Sequence, residues 1–382
     1  MHLISTKEHC WNRHLKTLFL PTKQIKMTPK FHELTISDVR KETEDTVSVA
    51  FEIPDSLKDD YSYLPGQYLT LKAIINGEEV RRSYSLCSSP VESEWRVAIK
   101  QVENGKFSTY ANNEIKAGMK MDVMTPTGNF RLNPSDGSPR SIVLFAAGSG
   151  ITPVFSILKT VLDKEPTSTV NLIYGNKGVN SIIFREELEA LKNKHMNQLS
   201  VLHVLSRESL GNDLQKGRID TEKAVAIYDK YLKDIAIDDI FICGPEAMIH
   251  SVKEGMAERN IPESKVHFEL FTSPSTKDPV IAKPTNSPKV DSNVTIIIDG
   301  DEYDLALEST GQNILDAAQE TGADLPFACK GGVCCTCKAK IMEGTASMDV
   351  NYALEPDEVE AGYILTCQAH PTSDTLVISF DE

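Results

Sequence analysis

Four cysteines constrain this 382-residue chain more than any other feature. Cys329, Cys334 and Cys337 stand in C-x4-C-x2-C spacing, and Cys367 follows 30 residues later. Thiolates on one tight loop can converge on an iron–sulfur cluster while a distant fourth closes the cage, and this is the spacing of plant-type 2Fe-2S centres. Gly331 and Gly332 suit such a loop, because backbone amides must approach the sulfides closely. Cys335 reads as a non-ligand packed in the loop. Cys334 and Cys337 are also a C-x2-C pair, which keeps a redox dithiol or half of a zinc site open as readings. A zinc ribbon wants a second such pair, and Cys367 stands alone. A thioredoxin-like motif would open a helix, and no helical pattern follows.

Four of the eight cysteines, plus their neighbour Cys335, crowd into 39 residues. A secreted disulfide framework would spread them through a small domain. Clustering without a signal peptide points to metal and to a reducing, cytoplasmic setting. The apolar run Leu18-Phe19-Leu20 is too short for a signal-peptide core. Residues 1–26 are basic with Glu8 as their one acid. Residues 1–30 are expected to be a disordered or non-native extension ahead of a start at Met27, with a cleaved presequence as the rival reading. No stretch approaches the roughly 20 apolar residues of a membrane span. The net charge of −15 is concentrated: residues 293–382 hold 17 Asp and Glu against three Lys. An acidic domain repels nucleic acid and anionic membranes. It serves solubility, or offers a docking face to basic partner proteins.

The charge step is one of several boundaries. Residues 31–137 read as short alternating strands, at Val47 to Ile53, Gln67 to Ile75 and Trp95 to Gln101. Turn signals separate them at Pro65-Gly66, Asn76-Gly77 and Asn104-Gly105, which argues for an antiparallel β-barrel or sandwich. Residues 138–272 switch to alternation of strand and helix, beginning with the continuous apolar run Ser141 to Ala147 and ending with a helix from Thr221 to Leu232, a strand from Asp239 to Cys243, a helix from Glu246 to Glu258 and a strand from Lys265 to Phe271. That pattern implies a parallel sheet with helices on both faces, an α/β domain whose ligands sit at the carboxyl ends of the strands. Residues 273–292, with Pro274, Pro279, Pro284 and Pro288, read as a semi-extended linker. Residues 293–382 open with a hairpin around Asp299-Gly300, continue with a helix from Gln312 to Glu320, and end in a strand from Thr375 to Phe380. A small α+β domain fits.

Two further motifs carry chemistry. In Arg82-Ser83-Tyr84-Ser85 a guanidinium can pair with a flavin pyrophosphate, an aromatic can stack on the isoalloxazine, and a small hydroxyl can hydrogen-bond near its N5. Alone the motif is weak, and Tyr84 as plain core is the rival, but it reads as lying just before a strand of the barrel region. It is followed by Gly105-Lys106-Phe107-Ser108-Thr109, a glycine and hydroxyl loop able to hold phosphate, and by Pro126, Gly128, Asn129 and Phe130. In Gly148-Ser149-Gly150-Ile151-Thr152-Pro153, at a strand end that opens a helix, the glycines admit a pyrophosphate and the helix N-terminus favours its charge. Pro153 suits the first helical turn. Ser206-Arg207 ends the third strand of the α/β region, with Lys216 and Arg218 downstream. Cations there suit the extra phosphate of NADPH, whereas an acid would suit the ribose of NADH. Glu208 is adjacent and pulls the other way, and a solvated basic face is the bland alternative.

In this order the motifs resemble the ferredoxin–NADP⁺ reductase superfamily. Leu325-Pro326-Phe327 and the cysteines after it resemble the ferredoxin family. Together, residues 31–382 look like the reductase components of bacterial oxygenases. The stretch Cys329 to Cys337 and the opening near Phe31 resemble in particular the reductase subunits of phenylacetyl-CoA epoxidases. The resemblance implies a β-barrel flavin domain, an NAD(P)-binding α/β domain and a β-grasp ferredoxin domain. It implies FAD rather than FMN, although FMN-using members share the Arg82 motif. It places Cys243-Gly244-Pro245 beside the nicotinamide, with Cys243 near the hydride path, Thr152 against the nicotinamide, and Glu269 and Phe271 near the flavin. Ser85, Cys243 and Glu269 are thus the candidate catalytic residues. Core packing is the rival for Cys243 and Phe271.

The implied activity is electron transfer from NADPH through FAD and the cluster to a protein acceptor, a diiron oxygenase component in the first instance. A hydroxylase, a desaturase or a hybrid-cluster protein are alternative acceptors. A non-catalytic adaptor with structural zinc is the alternative of a different class. The nine histidines show no metal-ligand spacing.

Overall fold

The computed structural model describes residues 29–133, 135, 137–271 and 289–382. The expectations for residues 1–28 and for residues 273–288 of the linker lie outside the described residues.

The first sheet is built from β1 (Phe31–Thr43), β2 (Thr46–Glu52), β3 (Tyr68–Ile75), β4 (Glu78–Ser85), β5 (Trp95–Lys100) and β6 (Lys120–Met124), with helix α1 (Lys106–Asn113) between the last two. The strand order is β4-β3-β6-β1-β2-β5 and every pairing is antiparallel. A bridge between Leu86 and Val97 joins the two outer strands, so the sheet curls into a barrel. Asn76 and Gly77 both take positive φ, which is what a two-residue turn between right-twisted strands needs. Leu34, Ile36, Val49, Leu69, Leu71, Val97, Ile99 and Val123 fill the interior.

The second sheet comprises β7 (Ser141–Ala147), β8 (Thr169–Asn176), β9 (Leu199–Leu205), β10 (Asp239–Cys243) and β11 (Val266–Glu269). Between them run α2 (Ile151–Lys164), α3 (Arg185–Lys194), α4 (Thr221–Ile227) and α5 (Glu246–Glu258). The order β11-β10-β7-β8-β9 is wholly parallel. β7 is apolar from Ile142 onward because both of its faces are covered: Ile142, Leu144 and Ala146 join one core, Val143 and Phe145 the other. The chain winds outward from β7 in both directions, so the crevice at the carboxyl ends of β7 and β10 is the switch point where such sheets bind ligands.

The third sheet contains β12 (Asp291–Ile298), β13 (Asp301–Glu308), β14 (Lys338–Glu343), β16 (Tyr363–Leu365) and β18 (Thr375–Ser379). Strands β15 (Ala346–Met348) and β17 (Ala369–Pro371) form a separate pair. β12 and β18 are parallel while the other pairings are antiparallel, a β-grasp arrangement crossed by α6 (Ile314–Glu320), with a short α7 (Pro356–Glu360) beyond. The Asn313 side chain caps α6 by accepting from the Asp316 amide. Ile296, Ile314, Leu315, Leu376 and Ile378 are fully enclosed.

Several elements differ from the sequence reading. Gly105 to Thr109 is not a loop: Gly105 caps α1, and Phe107 and Ala111 bury the helix's inner face. Its sequence, with Thr, Tyr and two Asn, has poor intrinsic helix propensity, so tertiary burial decides. Arg82 to Ser85 lie within β4 rather than before a strand. β12 begins at Asp291, inside the stretch read as linker. The helix expected to run to Leu232 widens into a π turn from Tyr228.

The third domain is seated on the barrel. The guanidinium of Arg81, only 6% exposed, reaches Asp324 Oδ1 at 2.9 Å and the Leu325 carbonyl at 3.3 Å. It also lies 4.2 Å from the Phe327 ring centroid. Asn129 Nδ2 donates to the Ala353 carbonyl at 3.3 Å.

Candidate functional site

The three candidate catalytic side chains converge although they come from two different sheets. Ser85 ends β4, and its hydroxyl lies 3.3 Å from Glu269 Oε2 at the end of β11. Glu269 is in turn the register partner of Cys243 at the end of β10. Removal from water pushes the Glu269 carboxyl up to about 8, so it is protonated at neutral pH. Burial, with the Glu269 carboxyl beside it, pushes the Cys243 thiol well above its ordinary range, so the sulfur is a neutral thiol. The cluster of hydroxyl, acid and thiol stands at the boundary of barrel and parallel sheet.

The rest of β4 presents a different face. Tyr84 tilts against Phe107 of α1 with ring centroids 5.5 Å apart. The Ser83 and Thr70 hydroxyls meet at 3.1 Å. Arg82 is exposed and donates to its neighbour's carbonyl, Arg81 O, at 2.7 Å. Gly105 is required at the start of α1, because a Cβ there would stand 2.4 Å from Ser108 Oγ. Ser108 is turned inward to accept from the Val102 amide at 3.2 Å, and Lys106 pairs with Glu78. Thr109 Oγ1 accepts from the Gln101 side chain at 3.4 Å. Of these groups, Lys106 is held by its acid and Ser108 by the backbone, while the Arg82 side chain is exposed beside Tyr84.

A cavity of about 660 Å³ opens at the carboxyl ends of β7, β8 and β10. Gly148, Gly150, Gly244, Pro245, Ser206 and Arg207 all line it, and so does Phe271. Gly150 is indispensable to its floor: a Cβ there would lie 2.0 Å from the Cys243 carbonyl oxygen. Thr152 and Pro153 are buried within α2 and are not part of the lining; the Thr152 hydroxyl turns back to the Ser149 carbonyl at 3.0 Å. Lys177 and Arg218 do line it. Lys177 was not singled out from sequence; its position directly after β8 was the available signal. Glu208 is tied away from the cavity. Its Oε2 accepts from the Val179 amide at 3.2 Å, and its Oε1 occupies the space a side chain at Gly178 would need.

The four cysteines gather as anticipated from their spacing. Cys334 Sγ lies 3.2 Å from Cys329 Sγ, and Cys367 is within hydrogen-bonding reach of both Cys329 and Cys337. The pairwise contacts run in a row, Cys334 to Cys329, Cys329 to Cys367 and Cys367 to Cys337, and among the described residues no three His, Cys, Asp or Glu close around a single ion. Gly331 donates its amide to Cys329 Sγ at 3.3 Å. Gly332, at φ +74°, fits under Val350, where a Cβ would come to 2.9 Å. Cys335 is not in the row: its sulfur faces the Ala353 carbonyl at 3.2 Å. Four thiols of one kind, backed by amides and small residues, fit a 2Fe-2S cluster.

Comparison with known proteins agrees with this layout. Family models match an oxidoreductase FAD-binding domain at residues 33–132, an oxidoreductase NAD-binding domain at 144–254 and a 2Fe-2S iron-sulfur cluster binding domain at 296–372. The chain is 42% identical over 351 residues to a subunit of the 1,2-phenylacetyl-CoA epoxidase of Escherichia coli (strain K12), covering 92% of this chain and 98% of that one. The chain belongs to this family of flavin and iron–sulfur reductases. The reductase is also 35% identical to the ferredoxin reductase component of 3-ketosteroid-9-alpha-monooxygenase from Rhodococcus rhodochrous, over 91% of this chain and 96% of that one. Among solved structures it shares the fold of phthalate dioxygenase reductase, with a TM-score of 0.55, 23% identity, and 91% and 98% of the two chains covered. It is an NAD(P)H-dependent oxidoreductase with an FAD domain and a 2Fe-2S domain. No described helix is long and apolar enough to cross a membrane.

Proposed function

We propose that this reductase takes its electrons from NADPH and delivers them to the oxygenase component of a phenylacetyl-CoA epoxidase, a diiron protein. The donor assignment is carried by one observation. Ser206, Arg207, Lys177 and Arg218 line the cavity against a single lining acid, Asp220, whose carboxylate accepts from the Lys223 amide at the start of α4, while Glu208 is held outside by the Val179 amide. A 2′-phosphate finds cations there, whereas Asp220 and Glu208 are each engaged by a backbone amide. The acceptor assignment rests on the likeness to the Escherichia coli epoxidase protein, which runs nearly end to end.

Gly148, Gly150 and the start of α2 would hold the dinucleotide pyrophosphate, with Gly244 and Pro245 beside the nicotinamide. Arg82 would grip the flavin pyrophosphate, with Tyr84 against the ring system and Gly105 admitting close approach. A flavin bound there would supply the link between two-electron hydride chemistry and single-electron transfer. Ser85 supplies a hydroxyl at the reacting edge. Neutral Cys243 packs there without adding charge. Protonated Glu269 keeps a negative carboxylate away from the site where hydride arrives. Cys329, Cys334, Cys337 and Cys367 would hold the cluster. Such clusters sit near roughly −400 mV, which makes the outgoing electron strongly reducing. We infer a cytoplasmic setting from the seven described cysteines, all free thiols.

The test is reconstitution of the purified reductase with candidate oxygenase components. NADPH-driven epoxidation of phenylacetyl-CoA with a diiron partner is the expected result. Coupling only to a hydroxylase or desaturase component, with the epoxidase idle, would reassign the acceptor.

A further inference from the structure

One buried residue links the flavin face of the barrel to the cluster loop. Tyr68 opens β3, where its register partner is Ser85. Its backbone is clamped to Thr127 by reciprocal hydrogen bonds of 2.9 and 3.1 Å. Gly128 makes room for its ring, since a Cβ there would stand 3.0 Å from two ring carbons. The ring is 4% exposed and packs against Ala328, Cys334 and Cys329. Its hydroxyl accepts from the Cys335 amide at 3.1 Å and meets Thr336 Oγ1 at 3.1 Å. The Cys335 amide already occupies one acceptor position of the phenol oxygen, and we assign the phenol proton to Thr336. The Thr336 hydroxyl lies beside the Cys334 sulfur, where donating to it favours the thiolate. The relay therefore runs from Tyr68 O–H to Thr336 Oγ1, and from Thr336 O–H to a cluster-ligand thiolate.

We propose that Tyr68 is a positioning residue that ties domain docking to the potential of the cluster. A hydrogen bond donated to a ligand sulfur stabilises the more negative, reduced cluster and so raises its potential. Tyr68 polarises the Thr336 hydroxyl and strengthens that bond only while the cluster-bearing domain is seated on the barrel. The docked cluster is the better acceptor, and the released cluster the better donor. One electron leaves the reduced flavin and one ferric ion becomes ferrous, while Tyr68 and Thr336 keep their protons. This inference rests on the electron-transfer reading above.

The experiment is a redox titration of the full-length holoprotein, followed by electron paramagnetic resonance of the reduced cluster. It compares wild type, Tyr68→Phe, Thr336→Val and the double variant. Tyr68→Phe keeps the ring and removes only the hydroxyl. It is expected to shift the midpoint negative, by less than the roughly fivefold change in the cluster's share of the electron against the flavin that loss of the whole Thr336 hydrogen bond brings. Thr336→Val is expected to shift it in the same direction, and the double variant to match Thr336→Val alone, because both act through one bond. An unchanged midpoint in Tyr68→Phe beside a normal cluster signal overturns the relay alone, as do additive shifts in the double variant. Absence of any cluster signal in the wild type overturns the reductase reading and this inference together.

Discussion

The Ser85 hydroxyl and the Glu269 carboxyl stand 3.3 Å apart, one at the end of a barrel strand and the other at the end of the parallel sheet. They are 184 residues apart in the chain, so the contact exists only when the flavin and nucleotide domains are packed together. The acid is held neutral by that packing, and this has a consequence for stability.

Glu269 ionises near 4.5 when unfolded and at about 8 in the fold. Between those values the native state holds a proton that the unfolded chain has lost, so this group's contribution to stability falls as pH rises from about 4.5 to 8. The melting temperature of the flavin-free protein should decline across that window. Glu269→Gln should flatten the decline. Identical pH slopes for both proteins would show that Glu269 is not the group responsible.

Gly150→Ala would drive a Cβ to 2.0 Å from the Cys243 carbonyl oxygen and 2.8 Å from the Gly244 nitrogen. Backbone cannot yield there without moving β10, at a cost of about 1–3 kcal/mol for overpacking. Flavin content should be retained while nucleotide affinity drops, measured by calorimetric titration with NADP⁺. Wild-type affinity in a folded variant would remove the 148–150 turn from the nucleotide site.

Arg207→Ala should raise the KM for NADPH by about tenfold or more, the scale of a lost charge-assisted hydrogen bond, and leave the KM for NADH nearly unchanged. Steady-state kinetics with both donors decide it. Equal effects on the two donors contradict the 2′-phosphate role.

Much of this was legible in the sequence, and the reasons differ by element. β7, β10 and α5 fall at the expected bounds of 141–147, 239–243 and 246–258, because strands covered on both faces and a helix between turn signals leave strong local patterns. The cysteine spacing was legible because the ligand loop is itself local. Helix α1 was not, since its stability comes from burying Phe107 and Ala111 rather than from propensity. Nor was the inward turn of Thr152, which satisfies a carbonyl of its own helix start. The Tyr68–Thr336 contact spans 268 residues, and nothing near either residue in sequence announces it.

Cys337→Ser should stop electron delivery to one-electron protein acceptors and leave flavin bleaching by NADPH in place, because the flavin precedes the cluster. Stopped-flow spectra with and without cytochrome c separate the two steps. Loss of flavin bleaching in a folded variant would reverse the assigned order.

The most direct test of the electron-transfer assignment is a visible spectrum of the purified protein before and after anaerobic NADPH. Overlapping flavin and iron–sulfur bands, both bleached by the nucleotide, are the expected result. A colourless, zinc-bearing protein that still neither binds flavin and iron on reconstitution nor oxidises NADPH would contradict it and leave a metal-binding adaptor in its place.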